Sequence, residues 1–127
     1  MRVEITEVLE PDRRLIRFES DFGSADAVLC GQAPPDRRAL DVEFDIPDEV
    51  VTWAVANQEE AAIAGQVNGC ARLVGKIIGI DADDKIVNLR VGGDVFLVEF
   101  VDLPGEELID SWVSVDVRQI HLYEVTM

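Results

Sequence analysis

Positive charge is what this sequence has least of. Against 26 Asp and Glu stand only 11 Lys and Arg, for a formal net charge of -15. The deficit is sharper locally: residues 39–71 and 91–117 each carry seven acids and no Lys or Arg. Such a surface repels phosphate backbones, so no direct nucleic-acid contact is expected. Cysteine is sparser still, with two residues. Cys30 and Cys70 stand far from CxxC spacing, and buried thiols in a reducing compartment are expected. The single histidine, His121, has no neighbours from which a Ser/His/Asp or Cys/His arrangement can be read.

Long apolar runs are missing too. No segment approaches the ~18 residues of a membrane span, and Glu4, Glu7 and Glu10 interrupt the stretch where a secretion signal needs an apolar core. A cytoplasmic protein without membrane contact is expected. Core-forming material is nevertheless ample. Of 127 residues, 48% are hydrophobic, and a chain of this length buries roughly two-thirds of its unfolded surface. The expectation is a single domain over residues 1–127.

The dominant period is two. Leu40, Val42, Phe44 and Ile46 alternate with Asp41, Glu43 and Asp45, which is the pattern of a strand with one wet face. Val87, Leu89 and Val91 alternate with Asn88 and Arg90, and Gly92-Gly93 reads as a two-residue hairpin turn into VFLVEFV. Val113, Val115 and Val117 form another row, out of phase with Ile120 and Leu122, so a bulge is expected near Arg118 or Gln119. Further strands are predicted over 3–9, 15–20, 25–29 and 73–80.

One segment reads as a helix. In NQEEAAIAG, Asn57 suits an N-cap, Glu60 a capping box and Gly65 a C-terminus, which predicts a short helix near 57–64. EVVTWAVA is ambiguous between strand and helical turn, and GEELID suits one further turn. The fold class expected is mainly β, a single antiparallel barrel or sandwich. Strands, one mid-chain helix and more strands resemble the order of an OB-like barrel.

PDRR occurs twice, at 11–14 and 35–38, before an apolar run each time. Pro presets a turn and Asp tolerates its next position, so the copies read as turns and hint at duplicated hairpins; the competing reading is paired arginines gripping phosphates or carboxylates. GCARLVGK has five residues between its glycines and Ile77 in place of a magnesium-binding hydroxyl, so it is no phosphate loop. DADDK lacks the glycine and terminal glutamate of a calcium loop and reads as a charged hairpin tip. Glu99 interrupts the row of Val95, Leu97 and Val101, so it is paired with an arginine such as Arg72 or Arg90, exposed, or buried and perturbed. Trp53, Trp112 and Tyr123 suit packing better than ligand stacking.

No catalytic residue, cofactor or metal ligand emerges. The charge map alone has functional direction: acids repel other acids and attract basic proteins. The candidate partner-binding residues are Asp41, Glu43, Asp45, Asp48 and Glu49 in the first basic-free stretch, and Asp94, Asp102, Glu106, Glu107 and Asp110 in the second. In size, acidity and want of catalytic groups the chain resembles immunity proteins of toxin systems and nucleic-acid mimics that block nucleases. That resemblance implies a non-enzymatic protein masking a basic partner. The alternatives are an accessory subunit of a larger assembly or a small ligand-binding barrel.

Overall fold

A computed structural model describes residues 1–36, 38–67 and 69–125. Eleven strands are found among them: β1 (Arg2–Glu10), β2 (Leu15–Ser20), β3 (Gly23–Cys30), β4 (Ala39–Asp45), β5 (Trp53–Val55), β6 (Ala62–Val67), β7 (Cys70–Asp81), β8 (Ile86–Val91), β9 (Asp94–Glu99), β10 (Trp112–Val117) and β11 (His121–Glu124). The period-two rows produce them directly. Leu40 and Val42 are buried while Asp41, Glu43 and Asp45 are exposed, and Val113, Val115 and Val117 are all buried.

Five strands close into a barrel. β1 pairs with β2 and β4, β2 with β3, and β11 with both β3 and β4. All these pairs are antiparallel except β3–β11, and the cyclic order β1–β2–β3–β11–β4 is that of an OB-like barrel. The remaining strands lie between β4 and β11 in sequence and make a second circuit: β7 pairs with β8 and β10, β8 with β9, and β10 with β5. An isolated parallel bridge, Val50–Phe100, joins the end of β9 to the segment leading into β5. β6 lies between β3 and β7 and ties the two circuits together. Their buried side chains form one hydrophobic cluster, and no polar or charged residue is buried among the described residues.

The helix expected near 57–64 is not formed. Residues 57–60 are exposed and irregular, and Ala62–Val67 is a strand. A helix of about eight residues is marginal in isolation, whereas here Ile63 pairs with Leu73 of β7 and Gly23 of β3 and is buried at 3% exposure. Backbone pairing on both edges outweighs a good capping sequence. Gly23 makes that junction possible: its φ is +132°, and a Cβ there would lie 1.9 Å from the Ile63 carbonyl oxygen.

The bulge expected near Arg118 is instead a break between strands. β10 ends at Val117 beside β7, and the chain crosses to the barrel, where Val28 N–H donates to the Ile120 carbonyl (2.9 Å) before β11 begins. The phase change lets both Val117 and Ile120 be buried, at 2% and 1% exposure. The ambiguous EVVTWAVA supplies β5, and GEELID contains a 3-10 turn at Glu106–Leu108. The Gly92-Gly93 hairpin is present, with positive φ at Gly92 (+64°). Among the described residues no helix is long and apolar enough to cross a membrane.

Candidate functional site

The first PDRR is a 3-10 turn over Pro11–Arg13, closed by Arg14 in the left-handed region (φ 55°) and joining β1 to β2. Its arginines are occupied within the fold. Arg13 Nη1 lies 3.0 Å from Glu10 Oε2, while Arg14 donates from Nε to the Leu29 carbonyl (2.7 Å) and from Nη2 to the Ala33 carbonyl. In the second copy Arg37 lies outside the described residues. Arg38 sits 3.0 Å from Asp36 Oδ1, without hydrogen-bond alignment, and 3.4 Å from Glu124 Oε2. This copy is not a duplicated hairpin, because β3 and β4 are separated by β11. DADDK is a hairpin tip: Asp81 Oδ1 accepts from the N–H groups of Asp83 and Asp84 (3.1 and 3.3 Å). Of GCARLVGK, Gly69 is a turn residue with φ +79° and Cys70–Lys76 lie within β7.

The candidate acids divide by place. Asp41, Glu43 and Asp45 are exposed along the outer face of β4. Asp41 has a loose exposed ion pair with Arg2 (3.4 Å), and among the described residues Glu43 and Asp45 enter none. Asp94 stands across a groove from Glu43 and Asp45 and lies 2.8 Å from the Met1 amino group. Asp48 is half-buried, its Oδ2 enclosed without a hydrogen-bond partner, and Glu49 is exposed. The Val50–Phe100 bridge sets this pair near the backbone that carries Asp102. Glu106, Glu107 and Asp110 belong to a separate strap, anchored where Asp110 N–H donates to the Ile77 carbonyl (2.7 Å), and none of them lines the groove.

The groove, about 360 Å³, runs between β4 and β9 and is lined by residues 42–45 and 94–97. Beneath it Phe44 stacks on Phe96, ring centroids 4.7 Å apart and planes 14° from parallel, and Phe18 meets Phe44 edge-on at 5.6 Å. Above it the row containing Glu99 faces water. Val95, Leu97 and Val101 are 45%, 62% and 38% exposed, while Phe96, Val98 and Phe100 fill the interior. Glu99 is therefore exposed, and Arg72 pairs with Asp116 instead (2.9 Å). That ion pair raises the Arg72 pKa, chiefly through its hydrogen bond, as Asp26 does for Arg17. Reading the sequence for acids alone misses Val95 and Leu97. The signal was the near-continuous apolar run VFLVEFV, although its alternation alone does not say which row meets water.

The other prominent side chains are dispersed. Trp53 packs against Phe100, at 6.0 Å between ring centroids, and His121 is half-buried with Nε2 3.0 Å from Gln119 Oε1. Tyr123 is 44% exposed on β11, and its pKa is raised, first by a hydrogen bond with Cys30. No protein-family model, curated protein or solved structure matches the chain.

Proposed function

We propose that this chain is a non-enzymatic binding protein that covers a basic surface of a partner protein, in the manner of an immunity or inhibitor protein acting in the cytoplasm. The observation that carries this reading is the outer face of β4, where Asp41, Glu43 and Asp45 form one exposed row, with Glu43 and Asp45 across the groove from Asp94. Alternate strand residues repeat at about 6.6 to 6.8 Å, so the row is a ruler of fixed charge. Because the barrel already holds it, a partner's Arg and Lys side chains meet carboxylates without ordering a loop, which lowers the entropic cost of association. Exposed charges of this kind act mainly on encounter rate and are screened by salt.

The test compares the wild type with the Asp41→Asn, Glu43→Gln, Asp45→Asn triple variant. Each is used to capture partners from source-cell lysate, and the captured protein is then purified for surface-binding kinetics. The expected partner is basic, and the triple variant associates about tenfold more slowly at low salt with a flatter salt dependence. Unchanged kinetics at low and high salt, with circular dichroism also unchanged, would remove this face from the interface.

A further inference from the structure

The groove has a second property that acidity alone does not create: its β9 side is an unpaired sheet edge. β9 pairs with β8 and with no other strand among the described residues. Beyond the two-residue turn, Val91 and Asp94 form the closing pair, and Leu89 and Phe96 face each other two residues on. By the alternation of backbone groups along an antiparallel ladder, Phe96 turns its N–H and C=O toward β8, whereas Val95, Leu97 and Glu99 turn theirs away. Val50 confirms the direction, because its N–H donates to the Glu99 carbonyl (2.8 Å) and its carbonyl accepts from Val101 N–H (3.0 Å). Val50 thus closes the edge at Glu99, and the backbone groups of Val95 and Leu97 remain open to the groove.

The facing wall is similar. Val42 exchanges hydrogen bonds with Met1 (2.9 and 3.0 Å), which directs its backbone groups toward β1. Two residues on, Phe44 turns the same way, and no ladder joins β4 to β9 among the described residues. Proteins commonly protect such edges with outward Lys or Pro. β9 instead presents Val95 and Leu97 outward, 45% and 62% exposed.

We propose that the β4–β9 groove receives an extended segment of a basic protein, added as a strand to the free edge of β9. This rests on the basic-partner reading above and specifies its mode. Main-chain bonds to Val95 and Leu97 would supply affinity, and side-chain alternation would supply selectivity. Outward residues of the added segment would lie between Val95 and Leu97 on one side and Glu43 and Asp45 on the other. Arg or Lys fits there, its methylene stem on the apolar pair and its head at the carboxylates. Inward residues would meet the Phe44–Phe96 stack and must be small and apolar. Charge also decides against a second copy of this chain, whose own acids would be brought against Glu43, Asp45 and Asp94.

The test uses the full chain and a synthetic peptide of about six residues alternating Arg with Ala or Val, a length typical of one strand. A second peptide of identical sequence carries N-methyl groups on the amides that would face β9, which removes main-chain donors and keeps the charge. NMR titration is expected to shift the Val95 and Leu97 amides and slow their exchange with solvent. The N-methylated peptide is expected to bind about tenfold more weakly, as loss of two or so hydrogen bonds implies. Leu97→Lys, at an exposed position, is expected to weaken the unmethylated peptide similarly without altering the fold. Equal, salt-sensitive binding of both peptides would overturn strand addition while leaving the basic-partner reading intact. Absence of any shift at Val95 and Leu97 would overturn it as well. A concentration-dependent dimer that protects those amides without peptide would assign the edge to a second copy and overturn the proposed occupant.

Discussion

Phe44 of β4 and Phe96 of β9 stack at 4.7 Å although their strands share no hydrogen-bonded ladder. The two barrel-like circuits therefore meet at this point through ring contact, not backbone pairing, and the groove above is what the missing ladder leaves open. Replacing either ring by Leu keeps apolar volume and removes the stack. A double-mutant cycle of Phe44→Leu and Phe96→Leu, read by urea denaturation, is expected to give a coupling of about 0.5–1.5 kcal/mol. Strictly additive effects would show that the rings do not hold β9 against β4.

The two arginines of the first PDRR make opposite predictions. Arg14 serves the carbonyls of Leu29 and Ala33 at the end of β3, so Arg14→Ala is expected to lower unfolding free energy by about 1.5–3 kcal/mol, the range for hydrogen bonds from a charged group. Arg13 and Glu10 are an exposed pair, 68% and 51% accessible, and Arg13→Ala is expected to change stability by no more than about 0.5 kcal/mol. Chemical denaturation of both variants checks the contrast, and equal effects would contradict it.

Tyr123 supplies a pH prediction that is simple to read because it is the chain's one tyrosine. Its phenol is held above the ordinary value of 10.0, first by the hydrogen bond with Cys30 and then by that group's charge, burial and Asp45. The folded state therefore keeps its proton at a pH where the unfolded chain has lost it. The associated stability is complete below about pH 10 and is lost as pH rises through the folded value. Ultraviolet titration of the phenolate is expected to show late ionisation, and Cys30→Ala should bring it down toward the ordinary range. An unchanged titration in that variant would remove Cys30 as the cause.

Much of the β architecture was readable because side-chain alternation is a local property. Leu40 to Ile46, Val87 to Val91 and Val113 to Val117 each declare a wet and a dry face within one segment, and Gly92-Gly93 declares its own hairpin. The acidic row of Asp41, Glu43 and Asp45 was legible for the same reason: once β4 is a strand, its outer face follows. Neighbour relations were not legible. NQEEAAIAG has good helix-end chemistry, yet β3 and β7 offered its Ile63 two edges and a core, and those distant partners decided. Arg118 to Ile120 has the phase slip of a bulge, but only the closed barrel shows that the chain is passing from one circuit to the other. VFLVEFV is apolar on both rows, so alternation could not say which one meets water. The packing of Phe96, Val98 and Phe100 inward settled it, leaving Val95 and Leu97 on an edge whose open hydrogen bonds exist only because β4 and β9 approach without pairing. Local periodicity determines where strands are and which way their charges point; edge pairing and grooves depend on contacts between residues far apart in the chain, which only the tertiary structure brings together.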